Sequence, residues 1–181
     1  MYLEGQLSYS RLLADNHQID GLLLYNMRDY VNADAASAIY SLPYRTQGIA
    51  ARLSYSYKGR YFIEGNFGFN GSENFSKGNK WGFFPSVAGG WLVTNEKFME
   101  NALSVLSKLK FRGSYGLVGN DQLAGRRFAF LSTINSGNGF TYGLTGNQGI
   151  GGKFEGDFGV EDLSWETVKK TDIGVEIGLW D

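Results

Sequence analysis

The sequence predicts an all-β fold, an antiparallel sheet of about seven strands forming part of a transmembrane β-barrel, with one short helix in a turn. Three observations predict it. Apolar and polar residues alternate with a period of two over stretches of about ten residues, the length of a tilted membrane-crossing strand. Glycine (26) and aromatic residues (15%) are abundant while proline (2) is not, a mixture that suits a curved sheet and not a disordered linker. The connections vary in a regular way, short and then long, as they do where a barrel keeps tight turns on one side of a membrane and loops on the other.

The clearest unit runs from Ile49 to Phe75, two alternating arms joined by a tight turn at Lys58-Gly59-Arg60. In the first arm Ile49, Ala51, Leu53, Tyr55 and Tyr57 share a face, opposite Ala50, Arg52, Ser54, Ser56 and Lys58. In the second, Tyr61, Ile63, Phe67 and Phe69 oppose Glu64, Asn66 and Asn70, with Phe62 the exception on the polar side. Successive side chains of a strand point to opposite faces, so this hairpin has one greasy and one wet side. The wet side carries charges that a dry core would not tolerate unpaired.

Taken in order, residues 2–13 set Leu3, Gly5, Leu7 and Tyr9 against Glu4, Gln6, Ser8 and Ser10. A polar turn is expected at 14–17, a less regular strand at 18–28, and a long irregular segment containing Pro43 at 29–46. After the hairpin, taken as 47–71, comes a glycine-rich polar loop at 72–80, and alternation resumes over 81–94. Between Asn95 and Ser107 the spacing of Phe98, Ala102, Leu103, Val105 and Leu106 turns helical, and Asn95 is a capping residue. A strand follows at 108–117, then a long, weakly patterned loop at 118–164. The last strand, 166–180, sets Ile173, Val175, Ile177 and Leu179 against Lys170, Asp172 and Glu176.

Composition excludes several function classes. Lys+Arg 17 against Asp+Glu 18 gives no basic excess, so no nucleic-acid partner is expected. The absence of cysteine excludes disulfide scaffolds, thiolate metal sites and a cysteine nucleophile. No run of eighteen apolar residues exists for a membrane helix, and the first residues show no basic segment followed by an apolar core, so no signal peptide is expected among them. Seven strands with a free edge on each side do not make a whole bacterial barrel, so the chain is expected to be a piece of a larger one, cut at both ends.

The wet faces supply the candidate lumen-facing residues: Arg52, Glu64, Asn66, Lys108, Lys110, Arg112, Asp172 and Glu176. They form a mixed-charge ladder that could serve a solute path or dock whatever fills the lumen. Hydrated cross-strand pairing and docking outweigh solute contact, since such pairs are each worth under ~1 kcal/mol when wet. Trp81 and Trp165, at loop margins, are the candidates for stacking on sugar rings, whereas Trp91 and Trp180 suit an interfacial aromatic girdle. Gly82-Phe83-Phe84-Pro85-Ser86 reads as a place where strand pairing bends or ends, ahead of a substrate surface.

No catalytic, cofactor or metal residues are assigned. Asp29, Asn32 and Asp34 fit no calcium-loop spacing. His17, the single histidine, falls in a predicted turn, where it does not serve a Ser-His-Asp site. Gly146–Gly152 lacks the lysine and hydroxyl of a phosphate-binding loop.

Four motifs then resemble one family: RLSYSYKGRYFIEGNFGFNGSENF from Arg52, GFFPSVAGGW from Gly82, LKFRGSYGLVGND from Leu109 and WETVKKTDIGVEIG from Trp165. In that order they resemble the SusC/RagA family of TonB-dependent outer-membrane transporters, typical of Bacteroidota; the first fifty residues match by pattern more than by motif. The resemblance implies a twenty-two-stranded barrel closed by a plug, of which residues 1–181 would be a partial barrel domain lacking the plug, the N-terminal region and the final strands. It implies an outer-membrane, multi-pass location and no enzyme activity. It further implies import of nutrients, oligosaccharides ahead of peptides. A SusD-like lipoprotein would be the lid, and the TonB-ExbB-ExbD system would act through the missing plug region. Segments 29–46, 72–80 and 118–164 would be extracellular and 95–107 periplasmic, with membrane lipid against the greasy face.

The alternative is a soluble β-rich binding module, lipocalin-like or a sandwich. The two differ in where Tyr61, Ile63, Phe67, Phe69, Phe111, Ile173 and Val175 lie: against lipid in the barrel, in a core in the module.

Overall fold

A computed structural model describes residues 1–34, 38–102, 105–123, 126–146 and 148–179. Among these residues nine strands follow one another: β1 (Tyr2–Leu13), β2 (His17–Tyr30), β3 (Tyr44–Tyr57), β4 (Tyr61–Ser72), β5 (Trp81–Leu92), β6 (Leu106–Asn120), β7 (Ile134–Tyr142), β8 (Gln148–Glu155) and β9 (Glu166–Leu179). Seven of them form one antiparallel sheet in the order β1-β2-β3-β4-β5-β6-β9, open at both edges, and β7 and β8 form a separate hairpin. Each sequential pair is joined at its nearer ends, so the sheet is an up-and-down meander of the kind that closes into a barrel.

Register confirms the two faces. Tyr57 faces Tyr61, Tyr55 faces Ile63, Ala51 faces Phe67 and Ile49 faces Phe69, so the greasy residues of both arms share one side. Phe67 continues to Pro85, Phe69 to Phe83 and Tyr61 to Trp91. On the other side Ser56 faces Phe62, Ser54 faces Glu64 and Arg52 faces Asn66. The tight turn holds Lys58 at φ 50° and Gly59 at φ 62°, left-handed geometry that glycine adopts freely and that matches the twist of the flanking strands.

The sheet is a single layer, and that decides where burial occurs. Among the described residues the greasy face has no second sheet over it: Leu53 is 61% exposed, Ile63 56% and Ile173 87%. Tight burial occurs at the two ends instead. Ser72, Asn74, Phe75, Phe128 and Ala129 are buried at the loop end, and Val93 and Thr94 at the short-turn end.

Several expectations are corrected. His17 is not in the turn; it opens β2, where Nδ1 lies 2.7 Å from the Tyr55 hydroxyl and the ring packs on Tyr57. The register places it on the greasy side opposite Tyr57, so its ring follows the aromatic face. Strand β3 starts at Tyr44, immediately after Pro43, which has no N–H for the ladder. The segment before it holds one helical turn, α1 (Ala38–Ser41).

The helix expected at 95–107 is two 3₁₀ turns, Val93–Asn95 and Lys97–Ala102, and β6 already begins at Leu106. Leu103 of that expectation lies outside the described residues, as does Trp180. The loop expected at 118–164 is interrupted by the β7–β8 hairpin. Its alternation is broken by a register shift between Gly137 and Phe140, which hides the period of two.

Candidate functional site

The two faces of the wall have different chemistry because register carries each residue type across several strands. On the greasy face the aromatics gather in two belts. Near the short turns Tyr61 and Trp91 stack with rings parallel to 7°, and Phe111 adjoins Trp91. Near the loops Phe69 and Trp81 stack at 4.8 Å and 9°, with Phe67 against Phe83 just below. Along β5, from Trp81 to Trp91, the strand covers about 34 Å at ~3.4 Å per residue. A tilt of about 40° lowers that to roughly 26 Å, the height of a barrel's apolar band with aromatic girdles at its edges.

Six of the eight wet-face candidates fall in two clusters. In the first, Asn66 donates to Glu64 at 3.1 Å, Arg52 lies 3.7 Å from Glu64, and Ser86 donates to Asn66. In the second, Glu176 forms ion pairs with Lys108 at 2.7 Å and Arg112 at 3.5 Å. Lys110 stands over the Phe62 ring at 5.2 Å, and Asp172 faces Ser114 one row nearer the loops. These pairs are largely hydrated, which keeps each at about 0–1 kcal/mol.

Trp81 and Trp165 lie in different settings. Trp81 belongs to the loop-end belt on the greasy face. Trp165 packs against Phe75 and edge-on to Phe84, and its indole N–H donates to the Lys80 carbonyl at 3.0 Å. The Gly82–Ser86 stretch explains that packing. Pairing between β5 and β6 ends at Ser86, next to Pro85, and the space beyond is filled by the Phe84 and Trp165 rings.

Asp121 is the residue that sequence reasoning did not single out. Its carboxylate accepts from Ser72 at 2.7 Å and Tyr44 at 3.0 Å, while its carbonyl accepts from Asn74 at 3.1 Å. Arg127 joins the same region, donating to the Leu42 and Pro43 carbonyls and lying over the Tyr44 and Phe128 rings. The ends of three connections are thus tied together at the loop end. A signal was present, since Gly71–Phe75, Asn120-Asp121 and Trp165 all fall within the four quoted motifs.

At the opposite end Glu96 accepts from Arg60 and from the Trp91 indole, both at 3.2 Å. The Tyr61 hydroxyl, donating to it, is the largest influence holding its carboxyl below the ordinary range, with Trp91 and Arg60 adding to it.

Of the calcium candidates, Asp29 is paired to Arg45 at 3.0 Å and Asn32 accepts the Asp34 backbone N–H. Among the described residues no three histidine, cysteine or acidic side chains are placed to hold a metal.

No protein-family model matches the chain. It is 33% identical over 133 residues to TonB-dependent receptor P3 of Formosa agariphila, covering 74% of this chain and 13% of that protein. It is 34% identical over 128 residues to TonB-dependent receptor SusC of Bacteroides thetaiotaomicron, covering 71% and 12%. TonB-dependent receptor P39 of Formosa agariphila matches 98% of the chain at 25% identity, over 18% of its own length. The chain therefore spans less than a fifth of these curated relatives. In structure it is similar to the RagAB peptide transporter, with a TM-score of 0.78 over 99% of this chain and 21% of that one; at 19% identity this likeness is one of fold.

Proposed function

The chain belongs to the SusC/RagA family of TonB-dependent receptors, as a piece of barrel wall, and from that premise we propose that the protein carrying it is a multi-pass outer-membrane importer of nutrients. Residues 1–181 are then a partial barrel domain, with the plug and the TonB-contacting region elsewhere in the protein. The observation that carries this reading is the exposed greasy face bounded by two aromatic belts, backed by a charged inner face. A soluble module would bury Ile63, Phe111 and Ile173, which are exposed.

The solute class that fits best is an oligosaccharide. Trp165 supplies a π surface at the loop margin, whereas Trp81 stacks on Phe69 on the greasy face, and the inner face offers the amides Asn26 on β2 and Asn66 and Asn70 on β4 for sugar hydroxyls. A peptide is the second reading, favoured by the fold of the RagAB peptide transporter. A SusD-like lipoprotein closes over the loop end. The β7–β8 hairpin supports that part, because Phe140, Ile150 and Phe154 are exposed on it. Energy comes from the TonB-ExbB-ExbD system acting on the plug, and no covalent chemistry is involved.

The inner charges serve hydration and the docking of what fills the lumen ahead of solute contact. The test is made in the full-length protein. Phe67→Lys on the greasy face should block outer-membrane assembly, at a cost of up to ~2–4 kcal/mol near mid-membrane. Asn66→Lys, on the adjacent wet position, should assemble normally. If both variants assemble alike, the facing and the membrane reading fall together.

A further inference from the structure

On the loop side the greasy face ends in a cavity of about 310 Å³. Register shows which side of the wall it opens on. Met27, Gln47, Gly71 and Trp81 stand in one outward row. Asp29 and Arg45 stand in the next, with Glu73 held beside them by its N–H on the Arg45 carbonyl. Both rows border the cavity, whereas the inward residues Asn26, Gly48 and Asn70 do not. Arg28, Thr46 and Ser72 complete the floor between the two rows, and alternation turns their side chains to the inner side. Successive outward rows are about 7 Å apart along a strand. The cavity therefore starts at the Phe69–Trp81 belt and reaches one step towards the loops, the depth of lipid headgroups beside an aromatic girdle.

Its chemistry changes over that step. The lower part is Met27 and the 47%-exposed Trp81, whose ring covers Gly71 so closely that a Cβ there would meet it at 3.0 Å. The upper part is polar. Arg45 donates its Nε–H to Asp29 at 3.0 Å, and its terminal N–H groups have no acceptor among the described residues. The Gln47 amide and the Glu73 carboxylate likewise make no hydrogen bond or ion pair among them. With Lys80 at the edge, two cations meet two carboxylates, so no net charge is present to draw a phosphate.

We propose that this cavity binds the saccharide headgroup of a glycolipid in the loop-side leaflet, its sugar ring on Trp81 and its hydroxyls on Arg45, Asp29, Gln47 and Glu73. The apolar face of a sugar ring suits an indole π surface. Hydroxyls donate and accept at once, which matches a rim that offers N–H donors and carboxylate acceptors together with no net charge. The acyl chains continue downward past Met27 onto the greasy face. The inference rests on the barrel reading and deepens it, since it makes one stretch of the lipid-facing wall selective for a headgroup.

The experiment takes the full-length protein, locates it by membrane fractionation and reconstitutes it in phosphatidylcholine vesicles. The probe is a dodecyl glucoside with a diazirine at the start of its chain, and adducts are mapped by mass spectrometry after irradiation. The expected result is labelling concentrated on residues 27–29, 45–47 and 81, displaced by dodecyl maltoside below its solubilising concentration. It should be at least several-fold weaker in Asp29→Asn and in Gln47→Ala. Even labelling along Leu53, Phe67 and Phe83 would mean bulk lipid and would overturn the inference while the barrel reading stood. Equal displacement by dodecylphosphocholine would overturn it as well, because the chain and not the sugar would then be recognised. Displacement by free maltose would do the same, by making a dissolved sugar the ligand. A protein found outside the outer-membrane fraction would remove the barrel reading and this inference with it.

Discussion

The Trp91 indole N–H donates to Glu96 at 3.2 Å, fastening the short connection between β5 and β6 to the aromatic belt beside it. Arg60, in the next turn along, reaches the other oxygen of the same carboxylate at 3.2 Å. Two short connections are therefore joined through one anion, and the Asn95 side chain adds a bond to the Gly59 carbonyl at 2.8 Å.

That carboxyl titrates below the ordinary range, chiefly because Tyr61 donates to it. A group whose folded value is depressed contributes stability above its unfolded value, near pH 4.3, and loses that contribution as pH falls through the folded one. The turn should stay anchored at neutral pH and loosen only in acid. A nitroxide at Lys97→Cys in the full-length barrel should gain mobility only as pH falls below the ordinary glutamate range. Glu96→Gln should flatten that profile, and an unchanged acid transition in the variant would mean that another group holds the turn.

Asp121 gathers the loop end, and its loss should be felt there without affecting the strands. Asp121→Ala leaves the Tyr44 hydroxyl and the 2%-exposed Ser72 without their acceptor, at about 1–3 kcal/mol for the unsatisfied groups. Protease cleavage within 73–80 should rise several-fold on intact cells, while the amount of assembled barrel holds. Asp121→Asn keeps an acceptor oxygen and should fall between the two. Equal cleavage in all three proteins would count against the network.

These two ends also show what the sequence could and could not convey. Alternation along a strand is local, so the hairpin at Lys58-Gly59 and the facing of Arg52, Glu64 and Phe67 were legible from residue order alone. The two aromatic belts needed register: Phe69 and Trp81 lie in different strands, and only pairing brings their rings to 4.8 Å. Asp121 was less visible still. Its partners Tyr44 and Ser72 lie 77 and 49 residues away, and an isolated acid after a strand looks like any polar loop residue. The β7–β8 hairpin was hidden because its register shift between Gly137 and Phe140 breaks the alternation by which strands are read.

The place where β5 and β6 part supplies the last prediction. A Cβ on Gly119 would overlap the tip of the Phe84 ring, so the glycine is what lets that ring lie in the space beyond Ser86. Gly119→Ala should therefore push Phe84 off Trp165 and destabilise the loop end, by about 1–3 kcal/mol as for overpacking. Phe84→Ala alone should also destabilise, by leaving the space between the strands unfilled. Combined, the two changes should cost less than their sum, because the new methyl occupies room the ring has vacated; coupling of about 0.5–3 kcal/mol is the range for residues in contact. Heat-dependent gel mobility of the full-length barrel, read for the wild type, both single variants and the double, gives the cycle. Strict additivity would mean that Gly119 and Phe84 do not share that space in the assembled wall.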